Sequence, residues 1–149
     1  MKKLMFISTI CFTLINCSNK AVDKIPEKNS NKLVGTWKMV YADIKENDSV
    51  KVKDLTSSSF IKIINESHFS FFNQEYNSTD NFYGGAGTYT LKGDHYVETL
   101  SYTSVEAVKN HQFPFTVKFK GDTLIQTGLE EVKAAGINRE ITEKYIKIN

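Results

Sequence analysis

From Leu33 onward the chain is a succession of short runs in which apolar and polar residues alternate, rich in Val, Ile, Phe, Tyr and Thr and separated by Asn, Asp, Gly and Ser. Alternation with a period of two puts successive side chains on opposite faces of an extended strand, and the separators are turn residues. The pattern predicts eight strands, over residues 35–44, 60–65, 68–75, 85–92, 95–103, 113–120, 123–128 and 139–148. Helical composition is confined to residues 129–135 (LEEVKAA), with a further short turn expected near residues 104–110. The long connection over residues 43–59 is polar and charged, so it reads as a solvated loop; a lid over one end of the fold is the alternative.

Two junctions repeat a Lys-Gly-Asp motif between alternating strands: Lys92-Gly93-Asp94 and Lys120-Gly121-Asp122. Gly-Asp is a two-residue hairpin loop in which glycine supplies a positive φ. The register follows directly. Leu91 faces Tyr96, Tyr89 faces Glu98 and Gly87 faces Leu100; in the second hairpin Phe119 faces Leu124, Val117 faces Gln126 and Phe115 faces Gly128. These pairs share one face, and the opposite face carries Thr88, Thr90, Lys92, Lys118 and Lys120, which marks it as the solvent side. Consecutive amphipathic hairpins left open would expose two reactive edges, so the expected fold is all-β: an eight-stranded up-and-down antiparallel β-barrel. A two-sheet sandwich is the alternative. Eight strands enclose room for packed side chains or one small ligand.

Composition sharpens this picture at the N-terminus. The chain has 149 residues, 19 basic and 17 acidic. From Leu33 the balance is 13 basic to 15 acidic, so the cationic excess belongs to the leading segment and nothing recommends nucleic acid as a partner. Residues 1–16 (MKKLMFISTICFTLIN) are two lysines followed by an apolar run that, as a helix, spans roughly 18 Å, short of the ~30 Å hydrocarbon core. That is a signal-peptide pattern. Residues 17–32 hold few large apolar side chains and read as a flexible tether, leaving residues 33–149 as the folded domain. Cys11 falls in the signal and Cys17 at its end, so the domain has no cysteine for disulfides, thiol catalysis or metal binding. His68, His95 and His111 are isolated from one another, and no metal site or cofactor is expected.

The segment Leu14-Ile15-Asn16-Cys17 resembles the lipobox of bacterial lipoproteins, with Asn16 in place of the usual small residue. Gly35-Thr36-Trp37 at the start of an eight-strand meander resembles the lipocalin signature. Together with the run from Gly87 to Glu98 and the hairpin around Gly121-Asp122, the order of motifs is similar to the bacterial lipocalin-like domain lipoproteins, over residues 33–149. Those proteins are mostly of undefined biochemical role and are related in architecture to lipocalins and fatty-acid-binding proteins. The resemblance implies a lipidated Cys17 inserted in the bilayer, attachment to the bacterial cell envelope at the outer membrane, and Trp37 as the structural residue closing the barrel floor beneath a basic residue of the last strand. Arg139, Lys144 and Lys147 are the choices for that residue; Glu143, Tyr145 and Lys147 match the family's acidic, aromatic, basic spacing.

By alternation the interior receives Tyr41 from the first strand, Tyr89, Tyr96, Glu98 and Tyr102 from the first hairpin, Phe115, Phe119 and Gln126 from the second, and Tyr145 from the last strand. Most of these are core. A carboxylate aimed into an apolar barrel is costly unless paired or wet, which singles out Glu98, with Tyr89 opposite it as a candidate partner. Glu98, Tyr96, Tyr102 and Tyr145 are the expected polar part of a ligand cavity. Gly84-Gly85-Ala86-Gly87 has no following helix and reads as a bulge or sharp bend, not a phosphate loop. No HExxH, GxSxG or GxxxxGK[ST] occurs in the sequence. The reading is a monomeric, non-enzymatic envelope lipoprotein binding a small hydrophobic or amphipathic molecule. The alternatives are a solid barrel that contacts a protein or glycan through its loops, and acid/base catalysis by Glu98 with the interior tyrosines.

Overall fold

The computed structural model describes residues 30–148. The signal peptide, Cys17 and most of the tether lie outside the described residues. Ser30–Leu33 forms one helical turn, and nine strands follow: β1 Gly35–Glu46, β2 Ser49–Val52, β3 Ser58–Ile64, β4 His68–Glu75, β5 Tyr83–Lys92, β6 His95–Thr103, β7 His111–Lys120, β8 Thr123–Val132 and β9 Ile137–Lys147. All neighbours are antiparallel, and β3 to β9 pair in chain order. β1 pairs with β3 on one side and β9 on the other, closing eight strands into an up-and-down barrel. One continuous closed sheet excludes the sandwich.

Both Lys-Gly-Asp junctions are two-residue turns with Gly93 at φ 65° and Gly121 at φ 60°. All six pairs read from the sequence occur in the observed register. Where the expectation fails, tertiary pairing overrides local composition. The 129–135 segment is not helical: β8 continues to Val132, whose buried side chain pairs opposite Ile137, and only Lys133–Ala135 turns, as a 3-10 helix ended by Gly136 at φ 65°. The 43–59 connection is not a plain loop either. Asn47 and Asp48, both at positive φ, make a tight turn that folds β2 back on β1.

Two bulges change which side chains point inward. In β1 the pairing with β9 skips Val40, passing from Met39↔Tyr145 to Tyr41↔Lys144. In β6 the pairing with β5 skips Ser101, passing from Gly87↔Leu100 to Ala86↔Tyr102. The second bulge lies across from the glycine run, where Gly87 runs so close to β6 that a Cβ would overlap the Thr99 carbonyl oxygen. Beyond each extra residue the inward parity flips. Trp37 and Met39 point in, and after the bulge Ala42 does.

One end of the barrel is shut. Trp37 is buried, donates from Nε1 to the Leu33 carbonyl at 2.8 Å, and packs 6.1 Å from Phe119. Lys147, its cross-strand neighbour, places Nζ 5.6 Å from the Trp37 ring centroid. The basic residue over the floor tryptophan is therefore Lys147.

Candidate functional site

Above the floor the barrel carries a polar layer. Lys62 lies opposite Trp37 on β3 and is 2% exposed; its ammonium pairs with Glu98 on β6 and donates to Gln126 Oε1 on β8 at 2.9 Å. Rings of Phe69, Tyr96 and Tyr145 stand 5.6 to 5.8 Å from Nζ. A charge this deep is tolerable only because a carboxylate, an amide oxygen and three π faces replace its water. On β9, Tyr145 donates its hydroxyl to Glu143 Oε2 at 2.7 Å, and Glu143 sits directly across from Gln126.

Glu98 thus holds the ammonium directly, and Glu143 feels its charge without pairing to it. Burial pushes the Glu143 carboxyl up to about 6, against the pull of Lys62 and the Tyr145 hydrogen bond, and the Glu98 and Glu130 charges push the same way as burial. Burial and the neighbouring carboxylates hold the Tyr96 and Tyr145 hydroxyls well above the usual phenol range, so both stay neutral. Among the described residues, nothing partners the buried Tyr96 hydroxyl in hydrogen-bonding geometry.

The other end of the barrel is open. A cavity of about 550 Å³ enters between β1, β3, β4, β8 and β9, with Lys51 and Val52 of β2 and the following Lys53 at its edge. Its aromatic wall is Phe60 stacked on Phe71 at 5.6 Å, with Tyr83 tilted 6.3 Å from Phe60. Arg139, Ile141 and Glu143 descend along β9, so Glu143 is the deepest of its residues on the cavity and joins it to the polar layer. Glu143 is partly accessible through this space although protein surrounds it. Near the mouth, Arg139 Nε is 2.6 Å from Glu130 Oε2, and Lys53 donates to the Tyr83 hydroxyl at 3.0 Å.

The residues expected from the sequence divide into three groups. Tyr96, Glu98, Gln126 and Tyr145 do meet, around Lys62 in the polar layer, but none of them lines the cavity, whose deepest acid is Glu143. Tyr89, Phe115 and Phe119 are on the inner face but pack the lower barrel: Tyr89 donates to the Asn65 carbonyl at 2.7 Å, and Phe119 lies against Trp37. Tyr41 and Tyr102 are corrections, because each lies beyond a bulge and points outward. Tyr41 bonds Asp43 at 2.7 Å under the Lys144 ammonium, and Tyr102 is 71% exposed. Glu98 is also re-partnered, since its counterion is Lys62 and not Tyr89.

Lys62 was missed because Phe60-Ile61-Lys62-Ile63-Ile64 has apolar residues on both parities, which hides the facing of the strand. The legible signal was indirect: an inward Glu98 requires a cation. Among the described residues, no three His, Cys, Asp or Glu side chains gather as metal ligands would.

A solved structure of bovine odorant binding protein, in complex with a selenium-containing odorant, is similar to the chain at 17% identity and a TM-score of 0.49, covering 87% of this chain and 78% of that one. No curated protein matches the chain in sequence. The model of a domain of unknown function, DUF4488, matches residues 32–149 and so spans the whole barrel; the chain belongs to that family.

Proposed function

We propose that the protein binds a small hydrophobic or amphipathic molecule in the open end of its barrel, as a monomeric lipoprotein held at the bacterial cell envelope by acylated Cys17. The observation that carries the binding reading is the asymmetry of the barrel. One end is plugged by Trp37, Leu33 and Phe119, whereas the other keeps an aromatic-walled space of about 550 Å³ with a polar floor. Apolar walls with a few fixed polar groups are the usual build of small-molecule sites, and the volume lies within their range. Binding is favoured over catalysis because Glu98, the acid the sequence offered for proton transfer, is tied up by Lys62. Anchoring is supported by the signal pattern and by Leu14-Ile15-Asn16-Cys17.

The test is to purify the full chain from native membranes, extract it, and identify what it carried by mass spectrometry. A stoichiometric amphipathic molecule is expected. An empty protein that also fails to take up any member of a lipid and aromatic panel would overturn the binding reading. Labelling with a fatty acid analogue, lost in Cys17→Ser, checks the anchor. A second reading, contact with a protein or glycan through the loops, is favoured by exposed Tyr76, Phe82, Tyr102 and Val105, which sit in or beside the loops at the open end.

A further inference from the structure

We infer that the cavity selects a hydrophobic ligand whose head is a protonated amine or a similar cationic hydrogen-bond donor, seated on the Glu143 carboxylate, and that it disfavours fatty acids. This rests on the binding reading above and adds the chemical class of the ligand.

The argument begins with charge in the polar layer. Lys62, the deep ammonium, is already engaged by Glu98 and Gln126 and is closed off from the cavity. It has nothing to offer an incoming carboxylate. Glu143 is in the opposite position: it lines the cavity, and a carboxylate accepts up to about four hydrogen bonds, of which Tyr145 supplies one. With Glu98 and Glu143 both ionised, the layer holds one more negative charge than Lys62 balances. A cation at Glu143 closes that imbalance, whereas an anion there doubles it in surroundings that screen charge poorly.

The other charged groups near Glu143 do not reverse the sign. Glu130 is acidic and occupied by Arg139, Asp43 already accepts the Tyr41 hydroxyl, and the two tyrosines of the layer are neutral. Lys51 and Lys53 sit at the edge of the mouth, with Lys53 bonded to Tyr83. An anionic head held by these lysines would leave its apolar tail facing Glu143. A cationic head at Glu143 instead lets the tail run past Ile141 and Phe71 toward the mouth.

The experiment compares dodecylamine, dodecanol and dodecanoate, below micelle-forming concentrations, for displacement of an environment-sensitive reporter from the full chain at pH 8 and pH 5. At pH 8 the amine should bind about tenfold or more tighter than the alcohol, equivalent to about 1.4 kcal/mol, and the acid most weakly. At pH 5, where Glu143 is largely protonated, the preference for the amine should fall to about threefold or less. Glu143→Gln should erase it at pH 8. If that variant does not fold, as judged by its circular dichroism melt, the wild-type pH series decides alone.

Equal affinities, a preference for dodecanoate, or an amine preference that survives pH 5 or Glu143→Gln would overturn the inference and leave the cavity a binding site. If none of the three displaces the reporter at either pH, the binding reading fails and this inference with it.

Discussion

Replacing Lys62 by methionine isolates the interaction on which the barrel interior depends. Methionine keeps most of the apolar stem and removes the ammonium, so the π faces of Phe69, Tyr96 and Tyr145 lose their cation while Glu98, 5% exposed, loses its counterion. Removing one partner of a buried ion pair costs about 3–5 kcal/mol, because the other charge stays in a medium that cannot solvate it. Gln126 loses its donor as well, worth about 1 kcal/mol. With a urea slope of about 1.5 kcal/mol per molar, the combined loss of about 4–6 kcal/mol should lower the unfolding midpoint by roughly 3–4 M. The double variant Lys62→Met with Glu98→Met removes both charges and should recover most of the loss, leaving mainly the unpartnered Gln126. The coupling energy of this cycle should exceed about 2 kcal/mol. A cost below about 1 kcal/mol for Lys62→Met, or a double variant equal to the sum of the singles, would show that the pair is hydrated and that the polar layer is not a sealed floor.

Two further predictions concern the acid on the cavity and the bulged strand pair. The raised carboxyl of Glu143 means that the folded protein binds a proton which the unfolded chain has released; its stabilising effect is present below about pH 4.5 and is lost as pH rises through about 6. Glu143→Gln should therefore match the wild type in urea near pH 4 and exceed it by about 2 kcal/mol at pH 8, and a difference independent of pH would contradict the assignment. Gly87→Ala drives a Cβ into the Thr99 carbonyl and should cost about 3 kcal/mol or more, whereas Gly93→Ala, with open space around its Cβ but φ at 65°, should cost about 1–2 kcal/mol. Thermal melts of the two variants check the order, and equal losses would mean that β5 and β6 can separate at Gly87 without penalty.

The sequence alone determined the eight strands of the barrel, though not β2, together with the six hairpin pairs and the closure. Each of these follows from a local rule: period-two alternation, a glycine at positive φ in a two-residue turn, and the cost of an open edge. It also placed Tyr96, Glu98, Gln126 and Tyr145 inside correctly, because those positions lie on uninterrupted stretches of their strands. Only the tertiary structure decided the facing of Tyr41 and Tyr102, since one extra residue, Val40 or Ser101, inverts parity without leaving a mark that alternation can detect. The continuation of β8 to Val132 belongs here too, because pairing with β9 outweighs the helical composition of that segment. The same holds for the polar layer and the cavity above it. Lys62, Glu98, Gln126 and Glu143 come from four strands scattered along the chain, and Phe60, Phe71 and Tyr83 from three. What joins them is the closing of β1 onto β9, so that strands distant in the chain share one interior, and the depth of that interior is what turns a lysine and two glutamates into a site.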